Sequence, residues 1–184
     1  MEDISLTSPL KPAYGPTRPF EARPFRGQVV SREDPMADPP VYTVAVDAPP
    51  EKVWPLVADL DRHGDWSSKP FRVEWESGAP NAVGSTFRSI GWLPQESEHA
   101  MDGVVKVNDP MKTFEVTTHD AKEEWTNRYE LAPSGSGTIV TKTVIWPPLG
   151  GAKAAARSAI FALYVNGRMR KGLAMLKAKA EAGA

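Results

Sequence analysis

The sequence predicts an α+β domain: one curved sheet of seven antiparallel strands, two short helices after the first strand, and a long C-terminal helix. Two observations support this class. Alternating apolar and polar residues recur in short stretches between residues 71 and 146, and short turns separate them. Short turns join antiparallel neighbours. A run rich in Ala, Leu, Met, Lys and Arg then ends the chain, as expected for a helix.

The composition is that of a folded protein without a strong overall charge. The chain has 184 residues, of which 41% are hydrophobic and 24% charged, and its formal net charge is −1. This length can bury a sizeable core, and the charge gives no general attraction to nucleic acid or acidic membranes. The absence of cysteine excludes disulfides, thiolate metal sites and cysteine nucleophiles, and it fits a reducing compartment. We therefore expect a cytoplasmic protein with neither a secretory signal nor a membrane span.

Residues 1–40 differ from the rest of the chain. Eight of these 40 residues are proline, which fixes φ and lacks a backbone donor, so helices and central strands are both disfavoured. We predict an extended, mostly disordered N-terminal arm here and a single domain at residues 41–184. Met36 is an alternative start of the natural chain. Phe20 and Phe25 are candidates for pinning the arm to the domain or to a partner.

The domain begins with a short β-branched strand, Val41–Val46, followed by the segment DAPPEKVWPLVADLDRHGDW at Asp47–Trp66. The apolar spacing of this segment is helical. Pro50 suits a first helical turn, where its missing donor has no cost, and Pro55 should shorten the helix.

The end of the same segment carries three aspartates and a histidine. We interpret Asp59 and Asp61 as caps of a second short helix, because acids suit a helix N-terminus, and His63 as solvent-exposed. A metal site is not predicted, since no second histidine lies nearby and the pattern of a calcium loop is missing.

Six further strands and a helix complete the domain. Each strand places apolar side chains on one face, and residues such as Gly, Pro, Asn and Asp mark the turns between them. The predicted elements are strands at 71–75, 86–92, 98–107, 113–118, 124–131 and 138–146 and a helix at 153–181.

Several short motifs resemble one known family. These motifs are Ala48-Pro-Pro-Glu-Lys-Val-Trp54, Ala58-Asp-Leu-Asp61, Asp65-Trp66, Gly84-Ser-Thr-Phe87, Gly137-Thr138 and Gly172-Leu-Ala-Met-Leu-Lys177. With the element order, they resemble the helix-grip fold of the START-like and Bet v 1-like (SRPBCC) superfamily, specifically its polyketide cyclase/dehydrase and lipid-transport branch. The resemblance covers residues 41–182 and is specific for fold rather than for function.

This resemblance implies a cavity between the concave face of the sheet and the C-terminal helix lying across it. One helix cannot fill such a face, and ligand cavities are mostly apolar with a few orienting polar groups. The expected ligand-binding residues are Trp75, Phe87, His99, Met101, Phe114, Val116, Trp125, Asn127, Tyr129, Phe161 and Tyr164. Further residues expected to face inward are Thr118, Ile139, Thr141, Thr143, Ile145 and Asn166.

Aromatase/cyclases of this fold condense and dehydrate polyketides, so the resemblance also implies candidate catalysts. His99 is the one inward-facing residue that ordinarily titrates near neutral pH, although a lone histidine on an apolar face is more often a lining residue. Arg88 could hold a carbonyl or carboxylate, but Phe87 competes for the same face. No catalytic triad, phosphate loop or metal-ligand spacing is present, so we expect no cofactor and no metal.

Three functions stay open, and the sequence does not decide whether the protein is an enzyme. The first is binding or carriage of a small hydrophobic molecule such as an aromatic polyketide, quinone, sterol or lipid. The second is a polyketide aromatase/cyclase or dehydratase acting in the same cavity. The third is a protein-interaction module with the N-terminal arm as a docking peptide. We expect no nucleic-acid partner and a monomer by default, with a dimer as the alternative.

Overall fold

The structure, a computed structural model, describes residues 39–93, 96–120, 124–147, 151–152, 156, 159 and 161–183. All but the last two residues of the predicted arm lie outside this part, as do Lys153, where the long helix was predicted to begin, and the side chains of Phe161 and Tyr164. The strands are β1 (Val41–Val46), β2 (Arg72–Ser77), β3 (Thr86–Leu93), β4 (Glu96–Asp109), β5 (Thr113–His119), β6 (Glu124–Ser134) and β7 (Gly137–Ile145). The helices are α1 (Pro50–Ala58), a 3-10 helix (Leu60–Asp65) and α2 (Asn166–Ala182), with a π-helical turn at Phe161–Val165.

The seven strands form one antiparallel sheet in the order β1-β7-β6-β5-β4-β3-β2. Strands β2 to β7 are a meander, and β1 pairs with β7 at the far edge. Register shifts interrupt the β2–β3, β3–β4 and β4–β5 pairs. Irregularities of this kind bend strands and increase their twist, which gives the sheet a concave face. The predicted α+β helix-grip class is confirmed.

The two short helices after β1, residues 50–65, form an elbow at the start of the domain. Pro50 occupies the first turn of α1 as predicted. Pro55 lies inside α1 without ending it; this residue is exposed, so water can satisfy the carbonyl that its ring leaves unbonded. Asp59 caps the 3-10 helix, because its Oδ1 accepts a hydrogen bond from the amide of Asp61 over 3.2 Å. The side chain of Asp61 instead accepts from Trp75 Nε1 over 3.1 Å.

The core lies between the concave face of the sheet, the elbow and one face of α2. In α2 the buried residues Leu173, Leu176 and Ala180 recur at helical spacing, so they form one buried face of the helix. On the sheet, Phe87 and Phe114 are among the largest fully buried side chains. Burial of this apolar surface is the main force that holds α2 against the sheet.

The facing of β3, which the sequence left open, follows from its pairing with β4. Phe87 lies opposite Gly103 and is 1% exposed, so it points into the core. Arg88 therefore points to the outer face. There its Nη2 lies 3.0 Å from Asp102 Oδ1 and 3.8 Å from Glu76 Oε1.

The predicted facing of β7 is wrong. Residues Val140, Lys142 and Val144 are buried on the inward face, while Ile139, Thr141, Thr143 and Ile145 alternate with them on the outer side. The reason is the two-residue turn at 135–136, which pairs Ser134 with Gly137. That register places Lys142 opposite Tyr129, whose side chain points inward.

We predict that Gly103→Ala destabilises the fold by about 1–3 kcal/mol, because the added methyl group would overpack the core. An ideal Cβ at this position would overlap with Cζ of the Phe87 ring. Gly167→Ala in α2 is the matched control: its Cβ would meet nothing within 4 Å, and helix propensity favours alanine by about 0.5–1 kcal/mol. Urea unfolding of both variants tests this, and an unchanged stability for Gly103→Ala would contradict the packing described.

Candidate functional site

A cavity of about 260 Å³ lies between the sheet, the elbow and α2. Its wall combines large apolar side chains with a few polar ones. The lining residues are Leu60, His63, Trp66, Ser67, Phe71, Phe87, Ser89, Met101, Val116, Thr118, Trp125, Asn127, Tyr129, Lys142, Val144 and Met169.

The sheet supplies the apolar wall through the inward faces of its central strands. Phe87, Met101 and Val116 come from three neighbouring strands and are all buried. Trp125 follows on β6, and its Nε1 donates a hydrogen bond to the thioether sulfur of Met101 over 3.3 Å. This contact fixes the large indole against a flexible neighbour and gives the polar N–H a partner away from water.

The elbow supplies His63 and Trp66, which the sequence analysis did not place in a cavity. His63 is 7% exposed, so the prediction that it is solvent-exposed is wrong. Its Nε2 lies 2.8 Å from the carbonyl oxygen of Val57, and Trp66 Nε1 donates to the carbonyl oxygen of Leu56 over 2.8 Å. Both carbonyls belong to the last turn of α1, where a helix has no internal donors left. These two side chains therefore cap α1 and also form part of the cavity wall.

The environment of His63 keeps its imidazole neutral. Because a carbonyl oxygen only accepts, Nε2 carries the proton and Nδ1 is left as an acceptor. Rings surround it, with centroids 4.7 Å away at Trp66 and 5.8 Å at Tyr129. Burial lowers the pKa of His63 to about 4; the bond to Val57 opposes this shift, and the positive charge of Lys142 adds to it.

Lys142 is the charged residue among the described residues that line the cavity. It is 8% exposed, and its Nζ lies 4.9 Å from the ring centroid of Tyr129. Within the part of the chain that the structure describes, Lys142 has no ion pair and no side-chain hydrogen bond. The sequence could have identified Lys142 as inward-facing. Tyr129 was correctly expected to face inward, and the register of the β6–β7 hairpin places Lys142 directly opposite it.

Other polar groups lie around Lys142 and Tyr129. Asn127 precedes Tyr129 on the same face of β6 and pairs with Val116 and Val144 on the neighbouring strands. Neither the Asn127 amide nor the Tyr129 hydroxyl has a hydrogen bond to another described side chain or carbonyl. Ser89, which the sequence analysis also missed, is satisfied by the carbonyl of Met101 at 3.2 Å.

The residues that the sequence predicted to face inward lie in different parts of the structure. Residues Phe87, Met101, Val116, Trp125, Asn127 and Tyr129 lie together in the cavity wall, and their contact with a ligand stays a prediction. Trp75 and Phe114 belong to the surrounding core, where Trp75 packs on Phe87 with ring centroids 5.6 Å apart. Asn166 accepts a hydrogen bond from the Tyr42 hydroxyl, whose pKa is raised by burial.

The two candidate catalysts are not part of the wall that the described residues form. His99 lies on the inward face of β4, and its Nε2 is 3.0 Å from Asp120 Oδ2 just beyond β5. Arg88 is held on the outer face by its carboxylate partners. The residues described contain no cluster of three or more His, Asp or Glu side chains that could hold a metal ion.

The comparison with known families agrees with this geometry. Residues 41–181 match the family described as polyketide cyclase/dehydrase and lipid transport. The chain belongs to this family. The match runs from the first residue of β1 almost to the end of α2, so it includes the whole cavity. A search of curated proteins gave no significant match. Among the described helices, none is long and apolar enough to span a membrane.

Solved structures of low sequence identity share the fold. Protein NE0264 from Nitrosomonas europaea superposes with a TM-score of 0.63 at 15% identity, covering 79% of this chain and 96% of its own. Protein TTHA0849 from Thermus thermophilus gives 0.62 at 14% identity, covering 78% and 97%. Protein MLL2253 from Mesorhizobium loti gives 0.59 at 17% identity, covering 78% and 97%. At these identities the likeness establishes the fold alone.

We predict that His63 makes the protein less stable in acid. Its pKa rises from about 4 in the folded protein to about 6.5 in the unfolded chain, so the unfolded state binds more protons between these values. Stability is therefore full above pH 6.5 and decreases as the pH falls towards 4. Between about pH 7.5 and about pH 5 this group alone should lower the free energy of unfolding by about 2 kcal/mol.

Urea unfolding of the wild type and His63→Gln at both pH values measures this effect. Glutamine does not titrate, so its variant should show a smaller loss of stability in acid. His119→Gln, at the outward-facing end of β5, is the control and should keep the wild-type dependence. An identical pH dependence in His63→Gln and wild type would show that His63 is not buried as a neutral group.

Proposed function

We propose that this protein binds a small hydrophobic ligand in the cavity between its sheet, elbow and α2. The observation that carries this proposal is the cavity itself, whose wall is largely aromatic, aliphatic and thioether surface with a few polar groups. Such a wall gains free energy when an apolar compound replaces water. At about 260 Å³ the cavity suits a compound of roughly one or two rings, smaller than the sterols considered from sequence.

Binding or carriage requires no catalytic group, and the family to which the chain belongs includes lipid transport in its description. We place this activity in a cytoplasmic monomer, as the sequence predicts. Size-exclusion chromatography with light scattering tests the oligomeric state. A stable dimer would replace the monomer without affecting the cavity of each chain.

We predict that the wild type binds N-phenyl-1-naphthylamine, a neutral aromatic probe in which a naphthyl and a phenyl group are joined by an amine, and whose fluorescence rises in apolar surroundings. Val116→Phe should weaken this binding by about tenfold or more, because the larger side chain occupies the cavity. Val83→Phe introduces the same change at a position that is 63% exposed and should bind as the wild type does.

The melting temperatures of both variants establish that they are folded before their affinities are compared. Equal binding by wild type and a folded Val116→Phe would place the probe elsewhere. The absence of any binding by wild type to this probe, or to quinones, flavonoids and fatty acids in a thermal-shift screen, would refute the proposal.

A second candidate function, cyclisation or dehydration of a polyketide, is favoured by the polar groups that share the cavity. Aldol chemistry needs a base for a proton next to a carbonyl and donors that stabilise the enolate. Nδ1 of His63 is an acceptor, while the Tyr129 hydroxyl and the Lys142 ammonium are donors. The pKa of about 4 makes His63 a weak base, so this function stands second.

If the protein is a cyclase, it should convert a linear poly-β-ketothioester to an aromatic product that absorbs in the near ultraviolet. His63→Gln and Tyr129→Phe should then slow the conversion by about 100-fold or more, since removing general acid–base groups typically has effects of this size. Arg88→Ala, on the outer face, is the control and should leave the rate unchanged. No conversion by wild type, or full activity in both cavity variants, would exclude catalysis by these groups.

A further inference from the structure

Lys142 occupies an unusual place for a lysine. It lies in the middle of β7, between Tyr42 on β1 and Tyr129 on β6, and on the inward face of the sheet. A lysine at a sheet surface normally extends its stem over apolar groups and leaves its ammonium in water. Lys142 is instead 8% exposed, and its inward-facing neighbours on β7, Val140 and Val144, are buried as well.

The charge of this ammonium is only partly compensated. Tyr129 offers the face of its ring at 4.9 Å, which is a favourable position for a cation. A ring face, however, does not replace the three hydrogen-bond acceptors that an ammonium can use. A buried cation generally needs an anion or several acceptors to offset its loss of hydration.

Several other basic residues of the described chain pair with carboxylates, unlike Lys142. Arg128 lies 2.6 Å from Glu115, Lys177 lies 2.5 Å from Glu181, and Arg88 lies 3.0 Å from Asp102. All three are more exposed than Lys142. The described residues of the cavity wall include no aspartate or glutamate, so they bring no counter-ion to Lys142.

We infer that the ligand of this cavity carries a carboxylate, and that the Lys142 ammonium binds it. The inference rests on the proposed binding function and names the chemical class of its ligand. Among the described lining residues Lys142 is the one cationic side chain, and a single cation matches a monoanion better than a phosphate monoester with its second charge. Phe71, Phe87 and Met169 line the same cavity and provide apolar surface for a hydrophobic body.

The polar groups next to Lys142 suit the same acid. A carboxylate has two oxygens with several lone pairs, and the Lys142 ammonium alone does not occupy all of them. The Asn127 amide and the Tyr129 hydroxyl can donate hydrogen bonds to the lone pairs that are left. His63 donates through Nε2 to Val57 and keeps an acceptor at Nδ1, so in its neutral form it adds no positive charge. The described part of the site therefore selects an acid through the Lys142 cation and neutral donors.

The test compares acids with alcohols of the same size. Two pairs are used near neutral pH: 2-naphthoic acid with 2-naphthylmethanol, and decanoic acid with decanol. Calorimetry or displacement of N-phenyl-1-naphthylamine gives each affinity. The wild type should bind the acid of at least one pair about 10-fold or more tightly than the alcohol, because a hydrogen bond between charged groups in a buried site is stronger than a neutral one.

Lys142→Met keeps the length of the side chain and removes its charge. This variant should weaken binding of the acid by about 10- to 100-fold and change the affinity for the alcohol by less than about threefold. Lys106→Met makes the same substitution at an exposed position of β4 and should bind both compounds as the wild type does.

The possible results separate this inference from the function on which it rests. Wild-type protein that binds the alcohols as tightly as the acids, or more tightly, overturns the carboxylate assignment and leaves hydrophobic binding intact. Equal weakening of acid and alcohol in Lys142→Met also overturns it. If neither acids nor alcohols bind to wild type, both proposals fail. The wild-type comparison does not depend on the folding of any variant.

Discussion

The register between β6 and β7 is the constraint on which the cavity depends. The turn at 135–136 pairs Ser134 with Gly137, and every later pair of the hairpin follows from this one. Because side chains alternate across a strand, a shift of one residue would turn the whole inward face of β7 outward. Since β1 pairs with β7, the same register also orients Tyr42, whose hydroxyl bonds to Asn166 at the start of α2. One short turn thus determines both the charge inside the cavity and a contact that holds the helix.

A second constraint lies at the end of α1, where the backbone carbonyls need hydrogen-bond donors. A helix leaves its last carbonyls without internal partners, and here the two side chains that satisfy them come from residues His63 and Trp66 of the cavity wall. The cavity and the helix end therefore cannot be changed independently. Burial of the neutral imidazole lowers the stability of the domain in acid. The same burial gives the cavity a wall that is both apolar and hydrogen-bonded.

Much of the fold could be predicted from sequence, because strand alternation, turn residues and the proline-containing elbow are local signals. The site was harder to predict, because the direction in which its polar side chains point depends on strand register and on the pitch of the 3-10 helix. Leu60 and His63 share a face because a 3-10 helix repeats every three residues, whereas the sequence predicted a second short helix with His63 exposed to solvent. In β7 both faces carry β-branched residues, so hydrophobicity could not choose between them and favoured isoleucine over Lys142. Counting outward from the hairpin turn would have given the correct face.

The position of Lys142 also has an evolutionary consequence. Among the described residues this core lysine has no hydrogen-bonding or ionic partner, only the ring face of Tyr129, so an apolar residue of similar volume can replace it without loss of the fold. If Lys142 binds the ligand as proposed, specificity can change at this one position while the rest of the sheet stays under selection for packing. Homologues of this chain could share nearly every core residue and still have diverged in the polarity of what they bind.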